Sequence, residues 1–187
     1  MITIVCGTNR PKSRALDVAR HYQQTLESKE QAVKLYSLAD LPQDFIATDL
    51  YGKRSEAFRP VEAQMQATDV FIFVVPEYNG SFPGVLKVFI DSMEPKRVFH
   101  GKRAALVGVS TGRFGNVRGL DHFAGVLNYL QIEVMPFRAH LMFIDTKTDE
   151  HGSVINEQAL SEIGKQLAQF EKFAGSLEGL KKSFLSS

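Results

Sequence analysis

The chain has 187 residues, with 22 Lys and Arg against 21 Asp and Glu, a formal charge of +1, and a single cysteine, Cys6. This length predicts one domain over residues 1–187, burying roughly 70% of the surface that the unfolded chain exposes, without covalent staples. The charge balance excludes the basic footprint of a nucleic-acid binder, and one cysteine excludes an internal disulfide or a Cys-based zinc or iron–sulfur site.

In chain order, Ile2 to Cys6 reads as the first strand. Standing directly after Met1, it lacks the basic and longer apolar segments of a signal peptide, so a cytoplasmic protein is expected. A helix follows from Ser13, with Leu16, Ala19, Tyr22 and Leu26 on one stripe. Val33 to Ser37 alternates as a second strand. Leu38 to Pro60 fits neither the helix nor the strand period and is expected to be a long loop: a lid, an interface or a binding loop, or one that merely wraps the surface. Val70 to Val75 is the most apolar run, far short of the roughly 18 residues of a membrane span. It reads as a central strand. Gly84 to Met93 is a largely buried helix, and Ala104 to Val109 is a fourth strand. Leu120, Phe123, Leu127 and Leu130 share a helical face. The fifth strand is expected in two pieces, Ile132 to Met135 and Ala139 to Ile144, interrupted at Pro136. Asn156 caps a last helix carrying Leu160, Ile163, Leu167 and Phe170, and a frayed tail is expected over about residues 176–187.

Strands without a polar face, alternating with amphipathic helices, predict a doubly wound α/β fold: a five-stranded parallel sheet with helices on both faces. In such sheets ligands bind beyond the carboxyl ends of the strands. Three turns there carry polar chemistry. Gly7 to Arg14 brings Thr8, Arg10, Ser13 and Arg14 to a helix N-terminus, where unpaired N–H groups and the helix dipole favour a phosphate. The bland alternative is a serine cap beside solvated arginines. A nucleoside-triphosphate loop is excluded, because Lys12-Ser13-Arg14 stands where that motif requires Gly-Lys-Ser/Thr. Pro76-Glu77-Tyr78-Asn79-Gly80-Ser81-Phe82-Pro83-Gly84 is a stiff turn, suited either to a flat ring with polar edges or simply to its own geometry. Ser110-Thr111-Gly112-Arg113-Phe114-Gly115-Asn116 adds glycines that permit close approach. The spacing of Gly108, Gly112 and Gly115 is not that of a dinucleotide fingerprint.

Together the three turns resemble the NADPH-dependent FMN reductase family of the flavodoxin-like fold, which includes quinone, azo-compound and chromate reductases. The resemblance rests on Pro76 to Lys87, continuing to Ile90-Asp91, on Gly7-Thr8-x-Arg10-x-x-Ser13, and on Ser110-Thr111-Gly112-Arg113-x-Gly115. It covers about Met1 to Ile144. It implies non-covalent FMN, its phosphate held by Thr8, Arg10 and Ser13 and its ring bordered by Pro76, Glu77, Tyr78 and Asn79 and by Ser110, Thr111 and Gly112. It also implies NAD(P)H as hydride donor, a small acceptor such as a quinone, azo compound or free flavin, and a homodimer or dimer of dimers. No catalytic side chain is assigned, since the hydride chemistry belongs to the flavin.

Three positions depart from the family pattern. Ala15 replaces a polar phosphate contact that Arg14 is expected to supply. Val88 replaces an asparagine in the following helix. Asn116 replaces the second of two glycines, so a less open third loop is expected. Lys96 and Arg97 are candidates for an anionic group of the co-substrate, or a solvated basic turn. Cys6 reads as a small core residue. The five histidines, His21, His100, His122, His140 and His151, lack metal-ligand spacing. Asp91 and Glu94 read as solvated or interface groups. Two rival functions share this fold: a flavodoxin-type electron carrier, disfavoured by the lack of an acidic docking face, and a flavin-free binding module.

Overall fold

The computed structural model describes residues 1–51 and 54–184, with side chains to 175. Strand β1 (Ile2–Cys6) leads into helix α1 (Arg14–Glu27) and β2 (Val33–Ser37). Two short helical segments, a 3₁₀ turn at Leu38–Asp40 and α2 (Phe45–Thr48), precede α3 (Arg59–Ala67) and β3 (Val70–Pro76). Then come α4 (Gly84–Asp91), α5 (Pro95–Val98), β4 (Arg103–Val109) and α6 (Val117–Tyr129). Two short strands, β5 (Glu133–Val134) and β6 (Ala139–Leu141), lie before the long α7 (Glu157–Phe184).

The strand order is β2-β1-β3-β4-β5, with β6 also pairing β4, and every pairing is parallel. This order is flavodoxin-like, and its reversal falls between β1 and β3. The interrupted last strand is present: Arg103 and Ala104 pair with Glu133 and Val134, and Val107 to Val109 pair with Ala139 to Leu141. Between the two pieces, the Phe137 carbonyl accepts from the amide of Gln166 at 3.3 Å. The same amide donates to the Leu106 carbonyl at 2.8 Å, and its oxygen accepts from the Tyr22 hydroxyl at 2.7 Å. One buried glutamine thus satisfies the backbone that Pro136 diverts and pins α7 to α1 and the sheet.

Alternation along β3 explains its lack of a polar face. Val70, Ile72 and Val74 join a core built with α1 and α7, whereas Phe71, Phe73 and Val75 join one built with α3, α4 and α6. The rings of Phe73 and Phe123 meet edge to face at 5.0 Å. The predicted helical faces are inside: Leu120, Phe123 and Leu127 are fully buried, and Asn156 caps α7 by accepting from the Ala159 N–H at 3.2 Å.

The segment Leu38 to Pro60 is not a structureless loop. It is wound around buried Asp49, whose carboxylate accepts from the Ser55 N–H at 2.6 Å, the Ser55 hydroxyl at 2.9 Å and the Thr48 hydroxyl at 2.7 Å. Its short helical pieces have too few residues to display a period, and the 9-residue α3 carries only Val61, Glu62 and Met65 inward. The tail expected to fray falls where α7 is traced to Phe184; residues 185–187 lie outside those described.

Candidate functional site

A cleft of about 930 Å³ opens at the carboxyl ends of the strands. Small-molecule sites occupy roughly 300–1,000 Å³. Arg10, Ser13 and Arg14 of the first turn, Pro76, Glu77 and Tyr78 of the second, and Ser110 and Thr111 of the third all line it. Thr8 lies fully buried beneath: its hydroxyl is 2.7 Å from that of Tyr78 and accepts from the Arg10 N–H at 3.1 Å. Two hydroxyls sharing one hydrogen bond leave one proton over, so the Thr8–Tyr78 pair retains a donor for a third group.

The first turn starts α1 in a way that suits an anion. Lys12 takes a left-handed φ of +51°, and Ser13 caps the helix by accepting from the Leu16 N–H at 3.2 Å. The serine therefore has a capping role whatever binds. The first N–H groups of a helix lack intrahelical partners and, with the dipole, form an anion site. Exposed Arg10 and Lys12 stand beside it. Arg14 is engaged differently from expectation. Its guanidinium lies 3.4 Å from Asp17 and 3.6 Å from Asp145 and donates to the Asp149 carbonyl at 3.4 Å. It braces the wall of the cleft. Ala15 is buried there, and beneath the turn burial pushes the Cys6 thiol up, with the contact to Ser13 opposing this.

The second turn is a hairpin bend. The Tyr78 and Ser81 backbones exchange N–H···O bonds of 2.9 and 3.1 Å, and Asn79 and Gly80 have φ of +51° and +76°. Left-handed values at both central positions define the tight turn that Asn-Gly favours. Asn79 is at its exposed tip, outside the cleft lining. At its base, the Glu77 N–H donates to the Val109 carbonyl at 2.8 Å, extending the β3–β4 ladder.

The third turn is closed by its own bonds. The Ser110 hydroxyl donates to the Gly112 carbonyl at 2.9 Å and accepts from the Gly115 N–H at 3.0 Å. That carbonyl also accepts from the Phe143 N–H at 3.1 Å, which ties the turn to the end of β6. Gly112 is exposed and outside the lining. A side chain at Gly108 would place its Cβ 2.0 Å from the Gly115 carbonyl oxygen, so that glycine is required by close approach. Asn116 is fully buried and donates to the Val75 and Pro76 carbonyls at 3.0 and 3.1 Å.

Lys96 and Arg97 are not brought to the cleft. They sit on α5, and Arg97 donates to Gln66 at the end of α3, beside the amino ends of the strands. Glu94 caps α5 and Asp91 pairs with Lys87 on α4. In their place the cleft takes a wall that sequence reasoning missed: Asp145, Glu150, His151 and Gly152. Thr148 bridges Val154 and Asp149 accepts from the His151 and Ser153 N–H groups at 2.9 and 2.7 Å, folding the segment into a tight bend. The only available signal was the polar run Asp149-Glu150-His151-Gly152, which marks a turn without saying against what it packs.

The unpaired N–H groups at the start of α1, with exposed Arg10 and Lys12 beside them, suit an anion at that end of the cleft. The model of the NADPH-dependent FMN reductase family matches residues 1–145. The chain is 36% identical over 124 residues to an NAD(P)H-dependent FMN reductase of Pseudomonas aeruginosa, a match covering 62% of this chain and 64% of that protein. It is 32% identical over 181 residues to a quinone reductase of Escherichia coli K12, covering 92% of this chain and 94% of that one. Among solved structures it resembles the flavoenzyme NAD(P)H:(acceptor) oxidoreductase FerB of Paracoccus denitrificans, with a TM-score of 0.76 at 21% identity over 94% of this chain and 97% of that one, a likeness of fold. The chain belongs to the NADPH-dependent FMN reductase family.

Proposed function

We propose that this protein is an NAD(P)H-dependent oxidoreductase that holds FMN non-covalently and passes reducing equivalents to a small acceptor of the quinone, azo or free-flavin class. The observation that carries the reading is the Thr8–Tyr78 hydrogen bond of 2.7 Å, which joins a phosphate-type helix terminus to a turn suited to a ring. Bound FMN would supply hydride acceptance from the nicotinamide and hydride donation to the acceptor. The chain's part is binding and orientation. The α1 N-terminus, Arg10, Ser13 and the spare Thr8–Tyr78 proton hold the phosphate; Pro76, Glu77 and Tyr78 on one side, with Ser110 and Thr111 on the other, confine the ring. The exposed tip residue Asn79 and Gly112 act from the rim.

The reading includes a cytoplasmic homodimer. Phe114 and Val117, 57% and 42% exposed beside the third turn, support a second subunit there. No helix among the described residues is long and apolar enough to cross a membrane. The test is the visible spectrum of the purified protein loaded with FMN, followed by anaerobic NADPH and then a quinone. Bleaching on NADPH and return of colour on quinone are expected. Colour that persists under excess NADPH and NADH would overturn the enzymatic reading.

A further inference from the structure

Asn116 is the position where this chain departs from paired glycines in the third turn, and its geometry gives it work that a glycine cannot do. Its backbone is left-handed, φ +59°, a conformation asparagine tolerates. Its amide nitrogen donates to the carbonyls of Val75 and Pro76, the last two residues of β3. Those carbonyls are acceptors only, so the amide must present its nitrogen to them. The oxygen is pressed into the first turn of α6, where a Cβ on Gly119 would lie 2.0 Å from it. The same Cβ would lie 2.7 Å from the Ser81 carbonyl carbon, and Nδ1 of His122, one helical turn on, lies 3.0 Å from the Ser81 hydroxyl. The start of α6 therefore grips the Tyr78–Ser81 bend from behind while Thr8 holds it from the phosphate side.

We propose that Asn116 is a positioning residue for the flavin ring: by clamping the two terminal carbonyls of β3 it fixes the Pro76–Tyr78 backbone against which the ring rests. This rests on the flavin reading above. Two anchors on either side of a short bend remove its freedom before a ligand arrives, which is where preorganised sites gain affinity.

The test separates the ring end from the phosphate end by comparing FMN with riboflavin, which has the ring and no phosphate. Asn116→Gly keeps the left-handed backbone and removes the clamp. Titrating each flavin by its fluorescence, the variant is expected to bind both about tenfold more weakly, the scale of two lost neutral hydrogen bonds. The factor should be the same for both flavins, and the visible absorption band of the bound flavin should shift. Asn116→Ala, which keeps the β-carbon and removes the amide, gives the same outcome and serves if the glycine variant does not fold. Riboflavin and FMN binding equal to wild type, or a loss confined to FMN, overturns the assignment. A wild-type chain that takes up neither flavin overturns the parent reading and this assignment with it, whereas wild-type uptake with an unchanged variant overturns the assignment alone.

Discussion

The hydroxyls of Thr8 and Tyr78 meet at 2.7 Å across 70 residues of sequence. Because the Thr8 oxygen also accepts from the Arg10 N–H, the first and second turns are parts of one hydrogen-bonded unit. Replacing Tyr78 with Phe removes one hydroxyl and leaves the Arg10–Thr8 bond intact. The FMN dissociation constant of Tyr78→Phe is expected to rise about two- to tenfold, the range of one net hydrogen bond. Fluorescence titration measures it.

Arg10 and Arg14 are neighbours in the first turn with unequal freedom. Arg14 is engaged by Asp17, Asp145 and the Asp149 carbonyl. Arg10→Ala is expected to weaken FMN about tenfold or more, as loss of a charge-assisted bond does, and to leave riboflavin unaffected. Arg14→Ala should weaken FMN less than Arg10→Ala and change stability by no more than about 1 kcal/mol, since its ion pairs are partly solvated. The reverse order of the two affinities would show that Arg14 leaves its carboxylates for the phosphate.

Gly108 has no room for a methyl group, because the atom it would strike is backbone, the Gly115 carbonyl oxygen at 2.0 Å. Gly108→Ala is expected to destabilise the fold by about 1–3 kcal/mol, the usual cost of overpacking, read from urea unfolding. An unchanged urea midpoint would mean that the third turn is not held against β4 as described.

Asp49 sets an acid limit on stability. Burial pushes its carboxyl up, but the Ser55 backbone, the Thr48 and Ser55 hydroxyls and Arg54 outweigh it and hold it below the usual carboxylate range. A group depressed in the folded state stabilises above its unfolded value and loses that contribution as pH falls through its folded value. Asp49→Asn should cost about 1–3 kcal/mol at pH 7, the penalty of leaving buried partners unsatisfied. The gap between variant and wild type should narrow as the pH drops below about 4. Urea midpoints taken at pH 7 and pH 3 check the sign.

Sequence periodicity located all five strand regions and four of the long helices, because each signal lies within one element. Apolar runs such as Val70 to Val75 declare a strand covered on both sides, and Asn-Gly at 79–80 declares a turn whatever surrounds it. The short α2 and the polar-faced α3 escaped for the converse reason: too few residues point inward to mark a period. Asp49, which organises that region, reads in sequence as any other acidic residue.

What the sequence alone determined about this protein is thus its strand regions, the helices with a clear apolar stripe and the three turns whose residues match a flavin-binding pattern, all properties of a few adjacent residues. Tertiary structure alone decided which groups share the cleft. It set Thr8 against Tyr78, drew Arg14 toward Asp145, left Lys96 and Arg97 at the opposite end of the sheet, and brought Glu150 and His151 to the wall. It also turned Asn116 from a substituted glycine into a clamp on β3. The reason is that strand order, not chain order, makes the carboxyl ends of distant strands neighbours, and a hydrogen bond depends on that proximity alone.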